Sequence, residues 1–460
     1  MTTILKISLL FAFVIATQAY VRVCYYTNWS QYRSGLATYK LSRDYQDGLC
    51  THLIFSFGKV VSSGNGYTIA PYEWNDQSAL YKEMQDLKKR DSGLKTLLAI
   101  GGWTHGSEGF KQMVSTKANR DRFVTNSLKY IKQYGFDGLD IDWEFPAARG
   151  SPAGDRQRFS SLCKELADVY HREGLLVTAA VKAAANAVYN NYEVAEISRS
   201  LDFINLMTYD LYGSWDNRLG HHTNTDENAR PENIHYTVKQ WLDQGASPDK
   251  LVLGLASYGR SFTLKNNCQI NPGTPATIGS TGPHTREKGF LAYYEICKMN
   301  FQNHVCTESS PAKAPYGSSG DQWVGYDDQQ SIVYKIQNVM KKHNLKGYMF
   351  WALDLDDFSG KFCRQGKYPL MNAAKAAVLV GNVAYACTNK NACGSPPPRT
   401  PQPPKSTTAT KSPAITTTRS PPKVSGKCKA IPPYSSISGF DAWCNQGDNG
   451  MKYKSHCTCN

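Results

Sequence analysis

The sequence predicts an α/β protein that folds as a (β/α)8 TIM barrel, with a small α+β insertion between strands seven and eight and a small disulfide-stapled C-terminal module. Three observations predict this fold. Short apolar runs alternate with amphipathic helical stretches, eight of these runs qualify as strands, and one gap is too long for a single helix. Alternating strands and helices favour a parallel sheet, and eight such units close into a barrel.

The candidate strands and helices follow one another along most of the chain. We assign strands to residues 21–26, 51–58, 95–103, 136–144, 175–183, 202–210, 250–260 and 347–357. Helical periodicity is clearest at residues 120–134, 155–173 and 331–345. The long gap, about 261–330, is rich in Gly, Pro, Thr and Tyr, and we expect it to form the insertion beside the mouth of the barrel.

Both ends of the chain lie outside the predicted barrel, which spans residues 20–393. Residues 1–19 have a basic residue before an apolar run that ends in small residues, which predicts a signal peptide and a secreted, extracellular protein. Residues 394–427 are rich in Ser, Thr and Pro and predict an extended linker to a module at 428–460. Neither the apolar run of residues 1–19 nor any other is long enough to predict a membrane span, so we expect no membrane partner.

Composition excludes several classes of protein. The formal net charge is +14, but residues 394–460 hold nine Lys or Arg and two Asp or Glu, so half of the charge belongs to the tail. Basic runs interleaved with aromatic residues are absent, and we therefore predict no nucleic-acid partner. The 13 cysteines show neither Cys-x-x-Cys pairs nor zinc-type Cys/His clusters, which predicts disulfides, no metal and no cofactor. Because 13 is odd, one thiol is free or pairs between chains, and Cys163, on the apolar face of a helix, is the candidate.

The stretch at residues 134–146 carries the most informative pattern. Asp140, Asp142 and Glu144 alternate with apolar residues, so a strand would point all three carboxylates to the barrel interior. Barrel active sites lie at the carboxyl ends of the strands, and Glu144 is nearest that end. Close like charges resist ionising together, so one acid keeps its proton near neutral pH. We predict that Glu144 donates a proton to a leaving oxygen, which paired carboxylates do in glycoside cleavage.

The same stretch carries a family resemblance. Asp137-Gly-Leu-Asp140-Ile-Asp142-Trp-Glu144 matches the D-x-x-D-x-D-x-E signature, and the sequence closely resembles the animal chitinases of glycoside hydrolase family 18. Further matching stretches span most of residues 20–380: 24–29, 97–103, 207–210, 257–263, 324–328 and 351–358. The resemblance implies an endochitinase that binds chitin and chitooligosaccharides and cleaves their β-1,4 linkages with retention of configuration.

In that family the substrate's own 2-acetamido oxygen is the nucleophile, an exception to the usual scheme of two carboxylates. The resemblance therefore implies that Glu144 acts as the acid and then as the base, while Asp142 orients the acetamido group. Asp140 would support Asp142, Tyr209 would donate a hydrogen bond to the acetamido oxygen, and Asp210 would lie beside the sugar.

Aromatic side chains are expected to hold the sugars, because flat sugar faces stack on rings. The substrate-binding candidates are Tyr25, Trp29, Trp103, Met207, Trp215, Tyr258, Arg260, Met349 and Trp351. We interpret His221 and His222 as ordinary loop residues. A glycosylation sequon begins at Asn28, and the sequence leaves its occupancy open.

The cysteines can be divided further once the family is considered. The resemblance implies the disulfides Cys24–Cys50 and Cys297–Cys363. Elimination suggests Cys268–Cys306 and Cys387–Cys393, with other pairings open. Residues 428–460 hold four more cysteines and are too few to build a core unaided. Their place after the linker suggests a chitin-binding module with Trp443 as a sugar contact; a glycosylated tail without a binding role is the alternative.

Two other functions remain open at this point. A chitin-binding lectin would keep the cleft but lose the acid, and Glu144 is present here. An endo-β-N-acetylglucosaminidase acting on N-glycans would keep the chemistry, but the predicted aromatic cleft favours a linear polymer. We expect a monomer.

Overall fold

The computed structural model describes residues 20–64, 66–229, 233–381 and 385–392, without the side chains of 185–187, and two short strands near the C-terminus. The chain divides into two compact units, Met1–Pro401 and Gln402–Asn460. Within the second unit, the strand Cys428–Ala430 pairs antiparallel with Cys457–Cys459. The expected signal peptide, the linker and Trp443 lie outside the described residues.

Eight parallel strands form a closed barrel, which confirms the predicted fold class. In chain order they are β1 (Val21–Thr27), β2 (His52–Ser63), β3 (Lys95–Gly101), β4 (Gly138–Asp142), β5 (Leu176–Lys182), β6 (Phe203–Met207), β7 (Leu251–Ala256) and β8 (Gly347–Trp351). Each strand pairs with its sequence neighbours, and β1 pairs with both β2 and β8, so the sheet has no open edge. A hairpin strand, Gly66–Pro71, extends β2 beyond the barrel.

Helices connect the barrel strands. The α-helices are Leu41–Asp44, Tyr81–Leu87, Glu108–Val114, Lys117–Gln133, Asp155–Tyr170, Ala185–Asn191, Val194–Ser200, Ile234–Asp243, Tyr293–Ile296, Gln329–Lys335 and Pro369–Leu379. Wider π-helical turns precede Tyr81 at Asp76–Leu80 and follow Lys335 at Ile336–Lys341. Within the described part of the chain, no helix combines the length and the apolar character needed to cross a membrane.

The apolar face of β4 packs outward against the helices, as its alternation predicts. Trp143, just after the strand, is buried and stacks on Phe110 with ring centroids 5.1 Å apart. Its other neighbour is Phe159, and its indole N–H donates to Ser107 Oγ at 3.1 Å. Burying this face fixes the register of β4, and the register in turn directs the carboxylates inward.

The insertion begins earlier than predicted. The run expected as one strand at 250–260 contains two strands, because β7 ends at Ala256 and a new strand, Tyr258–Leu264, starts a second sheet. The other strands of that sheet are Ala276–Ile278, Phe290–Ala292, Asn303–Val305, Tyr316–Ser319, Gln322–Gly325 and Lys390–Asn391. The second sheet therefore starts three residues before the approximate boundary predicted at 261, and both Tyr258 and Arg260 belong to it.

In three disulfides, both cysteines belong to the described residues. Cys24–Cys50 and Cys297–Cys363 form as the resemblance implied. The pairs suggested by elimination are wrong, because Cys306 bonds to Cys387. This happens because the strand Lys390–Asn391 pairs with Asn303–Val305 and brings residue 387 to the insertion. Cys268 is also disulfide-bonded, and Cys163 is a buried free thiol, as expected.

Candidate active site

Three of the four carboxylates of the signature lie on β4 or just beyond its end. Asp140 and Asp142 are the third and fifth residues of the strand, and both are buried. Glu144 lies two residues beyond the strand and is half-buried, so its carboxyl group can meet a ligand at the barrel mouth. Along β4, the exposure of the three carboxylate side chains therefore increases from Asp140 through Asp142 to Glu144, toward the mouth of the barrel.

Asp140 is held by three polar side chains from other strands. Its Oδ2 accepts from the Tyr25 hydroxyl at 2.7 Å, and its Oδ1 accepts from Thr178 Oγ1 at 2.5 Å and Asn205 Nδ2 at 3.4 Å. Burial raises the pKa of Asp140 to about 6, although these hydrogen bonds act in the opposite direction. Asp140 thus has a fixed position below the site rather than contact with solvent.

Asp142 and Glu144 influence each other's ionisation. Burial, followed by the negative charges of Glu144 and Asp140, raises the pKa of Asp142 well above its ordinary value. Burial also raises the pKa of Glu144 to about 7; Asp210 contributes to this rise, whereas Arg149 and Lys182 oppose it. Asp142 Oδ1 is buried without a hydrogen-bond partner. The pair therefore holds a proton near neutral pH and has an acceptor oxygen available.

Tyr209 and Asp210 lie just after the end of β6, at the mouth of the barrel. The Tyr209 hydroxyl is buried and contacts the weak acceptor Met349 Sδ at 3.7 Å, which leaves it able to donate to a ligand. Asp210 accepts from Arg260 Nε at 2.7 Å and from the Tyr258 hydroxyl at 2.8 Å. Although burial raises the pKa of Asp210, the charge and hydrogen bonds of Arg260 together with the nearby His222 outweigh it, and the pKa lies well below its ordinary value. Asp210 is therefore an anion fixed by the insertion.

A floor of aromatic rings is formed by Phe57 of β2 together with residues near the carboxyl ends of β1 and β8. Trp351, half-buried at the end of β8, stacks near Phe57 with ring centroids 5.7 Å apart. Trp29 lies 6.1 Å from Phe57 and 6.3 Å from Trp351, and 40% of its surface is exposed. Tyr25 packs 5.5 Å from Trp351 but is buried. Tyr25 therefore acts through Asp140, whereas Trp29 and Trp351 offer ring faces.

Two further tryptophans line the mouth, each beside an arginine. Trp103 is 63% exposed, and the guanidinium of Arg149 lies 3.7 Å from its ring centroid. Trp215 is 57% exposed, with Arg260 at 5.4 Å. Met207 ends β6 and is partly buried. These rings stay open on one face, as a stacking surface for sugars requires.

Several residues at the site escaped the sequence analysis. His221 and His222 lie in a loop, as interpreted, but both are buried, and His222 Nδ1 lies 3.6 Å from Asp210 Oδ1. Arg149 and Lys182 were missed because their relation to Glu144 depends on the fold rather than on spacing. Phe57 could have been found as the aromatic residue that ends the apolar run of β2.

The sequon at Asn28 is not a surface site. Its side chain is buried, and Nδ2 donates to both carboxylate oxygens of Asp76, at 3.0 and 3.1 Å. A glycan on this nitrogen would replace one of its two hydrogens and could not fit in the packed interior. Asn28 therefore lacks the exposure that a glycosylation site requires.

Comparisons with known proteins agree with this geometry. The family model for glycosyl hydrolases family 18 matches residues 21–356. Chitotriosidase-1 of Mus musculus is 42% identical over 367 residues, which cover 77% of this chain and 77% of that protein.

Two solved structures illustrate the range of relatives. Catalytic domain 2 of the Ostrinia furnacalis Group II chitinase has a TM-score of 0.74 at 35% identity and covers 80% of this chain and 99% of that one. Human YKL-39, a pseudo-chitinase with retained chitooligosaccharide binding properties, has a TM-score of 0.72 at 36% identity and covers 78% and 100%. The signature on β4, the closed barrel and these similarities lead to one conclusion: this chain belongs to glycosyl hydrolases family 18.

Proposed function

We propose that the protein is a secreted endochitinase that hydrolyses β-1,4 linkages between N-acetylglucosamine units with retention of configuration. The observation that carries this proposal is the state of Glu144. Its half-buried carboxyl group lies at the barrel mouth with a pKa raised to about 7, beside the buried Asp142. A general acid works best when its pKa is close to the operating pH.

The geometry supports a substrate-assisted reaction. As Glu144 protonates the glycosidic oxygen, the substrate's acetamido oxygen attacks the anomeric carbon and the bond to the leaving sugar breaks. Asp142 has an unpartnered oxygen that can accept the acetamido N–H, and Tyr209 has a hydroxyl that can donate to the acetamido oxygen. The carboxylate of Glu144 then removes a proton from water, which opens the cyclic intermediate from the other face. Two inversions give the β-anomer as the first product.

A lectin without turnover is the main alternative, since YKL-39 shows that a relative can bind chitooligosaccharides as a pseudo-chitinase. Here the acid, Asp142 and the Tyr209 hydroxyl are all present at the mouth. A binding protein has no need for a buried carboxyl group held near neutrality, which is costly to maintain. We therefore favour catalysis over binding alone.

The aromatic floor of the cleft indicates which substrate the protein would bind. Trp29, Trp351, Trp103 and Trp215 all present ring surface along the mouth, which suits consecutive units of an unbranched polymer better than a branched N-glycan core. We further propose that residues 428–460 bind chitin through Trp443, and that the linker connects this module to a monomeric barrel. These additional proposals rest on the sequence pattern.

Two substrates compared on one preparation test the proposal. The purified protein should release short oligomers from chitin and leave a high-mannose glycoprotein intact. NMR early in the digestion of a chitooligosaccharide should show the β-anomer. Glu144→Gln, which keeps the shape of the acid, should still bind oligomers but release none. Cleavage of the glycoprotein alone would favour the endo-β-N-acetylglucosaminidase, and binding without turnover by the wild type would favour the lectin.

A further inference from the structure

An additional cation lies beside the proposed acid. Lys182 is the last residue of β5 and pairs in register with Met207 of β6, which places it at the barrel mouth. It is half-buried, and its Nζ lies 5.1 Å from the ring centroid of Phe145, the residue that follows Glu144. Lys182 therefore covers the flank of the residue that follows the acid.

The charge of Lys182 is directed at the site rather than neutralised elsewhere. Its amine forms no salt bridge with any carboxylate in the described part of the chain. Burial lowers the pKa of Lys182, and the Glu144 charge acts against that decrease. Conversely, Lys182 opposes the rise in the Glu144 pKa. The two side chains therefore interact electrostatically without forming a closed ion pair.

Arg149 adds a second positive charge to the same neighbourhood. Its Nη1 donates to the backbone oxygen of Glu144 at 2.9 Å and to that of Trp103 at 3.2 Å, and its guanidinium stacks on the Trp103 ring. These contacts hold Arg149 in place. In the proposed reaction Glu144 protonates the leaving oxygen, so the leaving sugar would lie next to an acid on whose charge both cations act.

Chitin contains some deacetylated units, and a glucosamine unit carries an ammonium group where N-acetylglucosamine carries a neutral amide. In the sugar that is attacked, glucosamine cannot react, because it lacks the acetamido oxygen. In the leaving sugar no such chemical requirement exists, so selection there depends on the surroundings. An ammonium group near Lys182 and Arg149 meets like charge, which is unfavourable in a partly desolvated cleft.

We propose that Lys182 is a specificity-determining residue that makes the site prefer N-acetylglucosamine over glucosamine as the leaving sugar. This inference rests on the proposed function, because it assigns the leaving sugar to the side of Glu144. It predicts that the enzyme cleaves partly deacetylated chitin at a subset of its linkages.

The ends of the products provide the test. When a soluble, partly deacetylated chitin is digested, each new non-reducing end was the leaving sugar, and each new reducing end was the sugar attacked. The wild type should give N-acetylglucosamine at both kinds of end. Lys182→Met keeps the length of the side chain without its charge, and should raise the share of glucosamine at new non-reducing ends about two- to fivefold, the range for a partly solvated charge pair. Lys182→Arg keeps the charge and should match the wild type.

Each outcome is decisive for one of the two proposals. An unchanged share of glucosamine at the non-reducing ends in Lys182→Met would overturn the role of Lys182. Glucosamine at the new reducing ends would instead overturn acetamido participation, whatever the non-reducing ends show.

If Lys182→Met is inactive, the wild-type protein alone still provides a test of the proposal. In the wild type, the preference at non-reducing ends should weaken as pH rises and glucosamine loses its proton. Because the preference is a ratio within one digest, the need for protonated Glu144, which both leaving sugars share, cancels from it. A preference that is constant across this range would also refute the proposal.

Discussion

The pH dependence of hydrolysis tests the electrostatics of the site directly. The proposed reaction needs the protonated form of Glu144, so activity should be retained below its pKa and fall tenfold per pH unit above it. Its pKa of about 7, against an ordinary value of 4.5, corresponds to about 3 kcal/mol in favour of the protonated form. At pH 6 about nine-tenths of the enzyme would carry the proton, compared with about 3% for an unperturbed glutamate.

The assay is the pH profile of kcat/KM for a soluble chitooligosaccharide, which reports ionisations of the free enzyme. We expect kcat/KM to fall on the alkaline side of this profile, with the midpoint of that basic limb near pH 7. Arg149→Met removes a cation that lowers the Glu144 pKa and should move the limb upward, whereas Asp210→Asn removes an anion that raises it and should move the limb downward. A wild-type limb near pH 4.5, or shifts of the opposite sign in both variants, would refute this account of the acid.

Three other predictions concern the hydrogen bond that supports Asp140, the aromatic floor of the cleft and the C-terminal module. Tyr25→Phe removes the 2.7 Å hydrogen bond to Asp140 and should destabilise the fold by about 1.5–3 kcal/mol. Because Asp140 ionises above a pKa of about 6, the loss in Tm should be larger at pH 8 than at pH 5, and an equal loss at both would contradict the ionic character of the bond. Trp351→Ala should raise KM for oligomers at least tenfold, measured against Trp241→Phe as a buried control; an unchanged KM would remove Trp351 from the floor. Truncation after Cys393 should spare turnover of soluble oligomers and weaken adsorption to insoluble chitin, and Trp443→Ala should do the same. Full adsorption by the truncated protein would require another role for the module.

The parts of the fold that depend on local pattern could be predicted from the sequence. The period-2 alternation on β4 is enough to place Asp140, Asp142 and Glu144 on the interior face, because one face of the strand had to be buried. The eight apolar runs likewise predicted the eight strands of the barrel.

Features that depend on distant pairing could not be predicted. Cys306 bonds to Cys387 because a two-residue strand joins the edge of the insertion sheet, and no local sequence pattern predicts a strand that short. His222 has the polarity of a loop residue, and its burial beside Asp210 follows from the insertion packing against the barrel rim. Lys182 was missed for the same reason, since its nearness to Glu144 is a property of two adjacent strands.

The attachment of the chain end to the insertion sheet has a mechanical consequence. A pull that reaches the short strand Lys390–Asn391 from its C-terminal side acts on a few hydrogen bonds to Asn303–Val305, which can separate. The pull then reaches Cys387 and passes through a covalent bond to Cys306. Tension is therefore diverted into the insertion, and the last barrel helix, Pro369–Leu379, does not have to resist it. An enzyme held at a solid surface through its tail could thus be dragged without its barrel being unravelled from the C-terminal end.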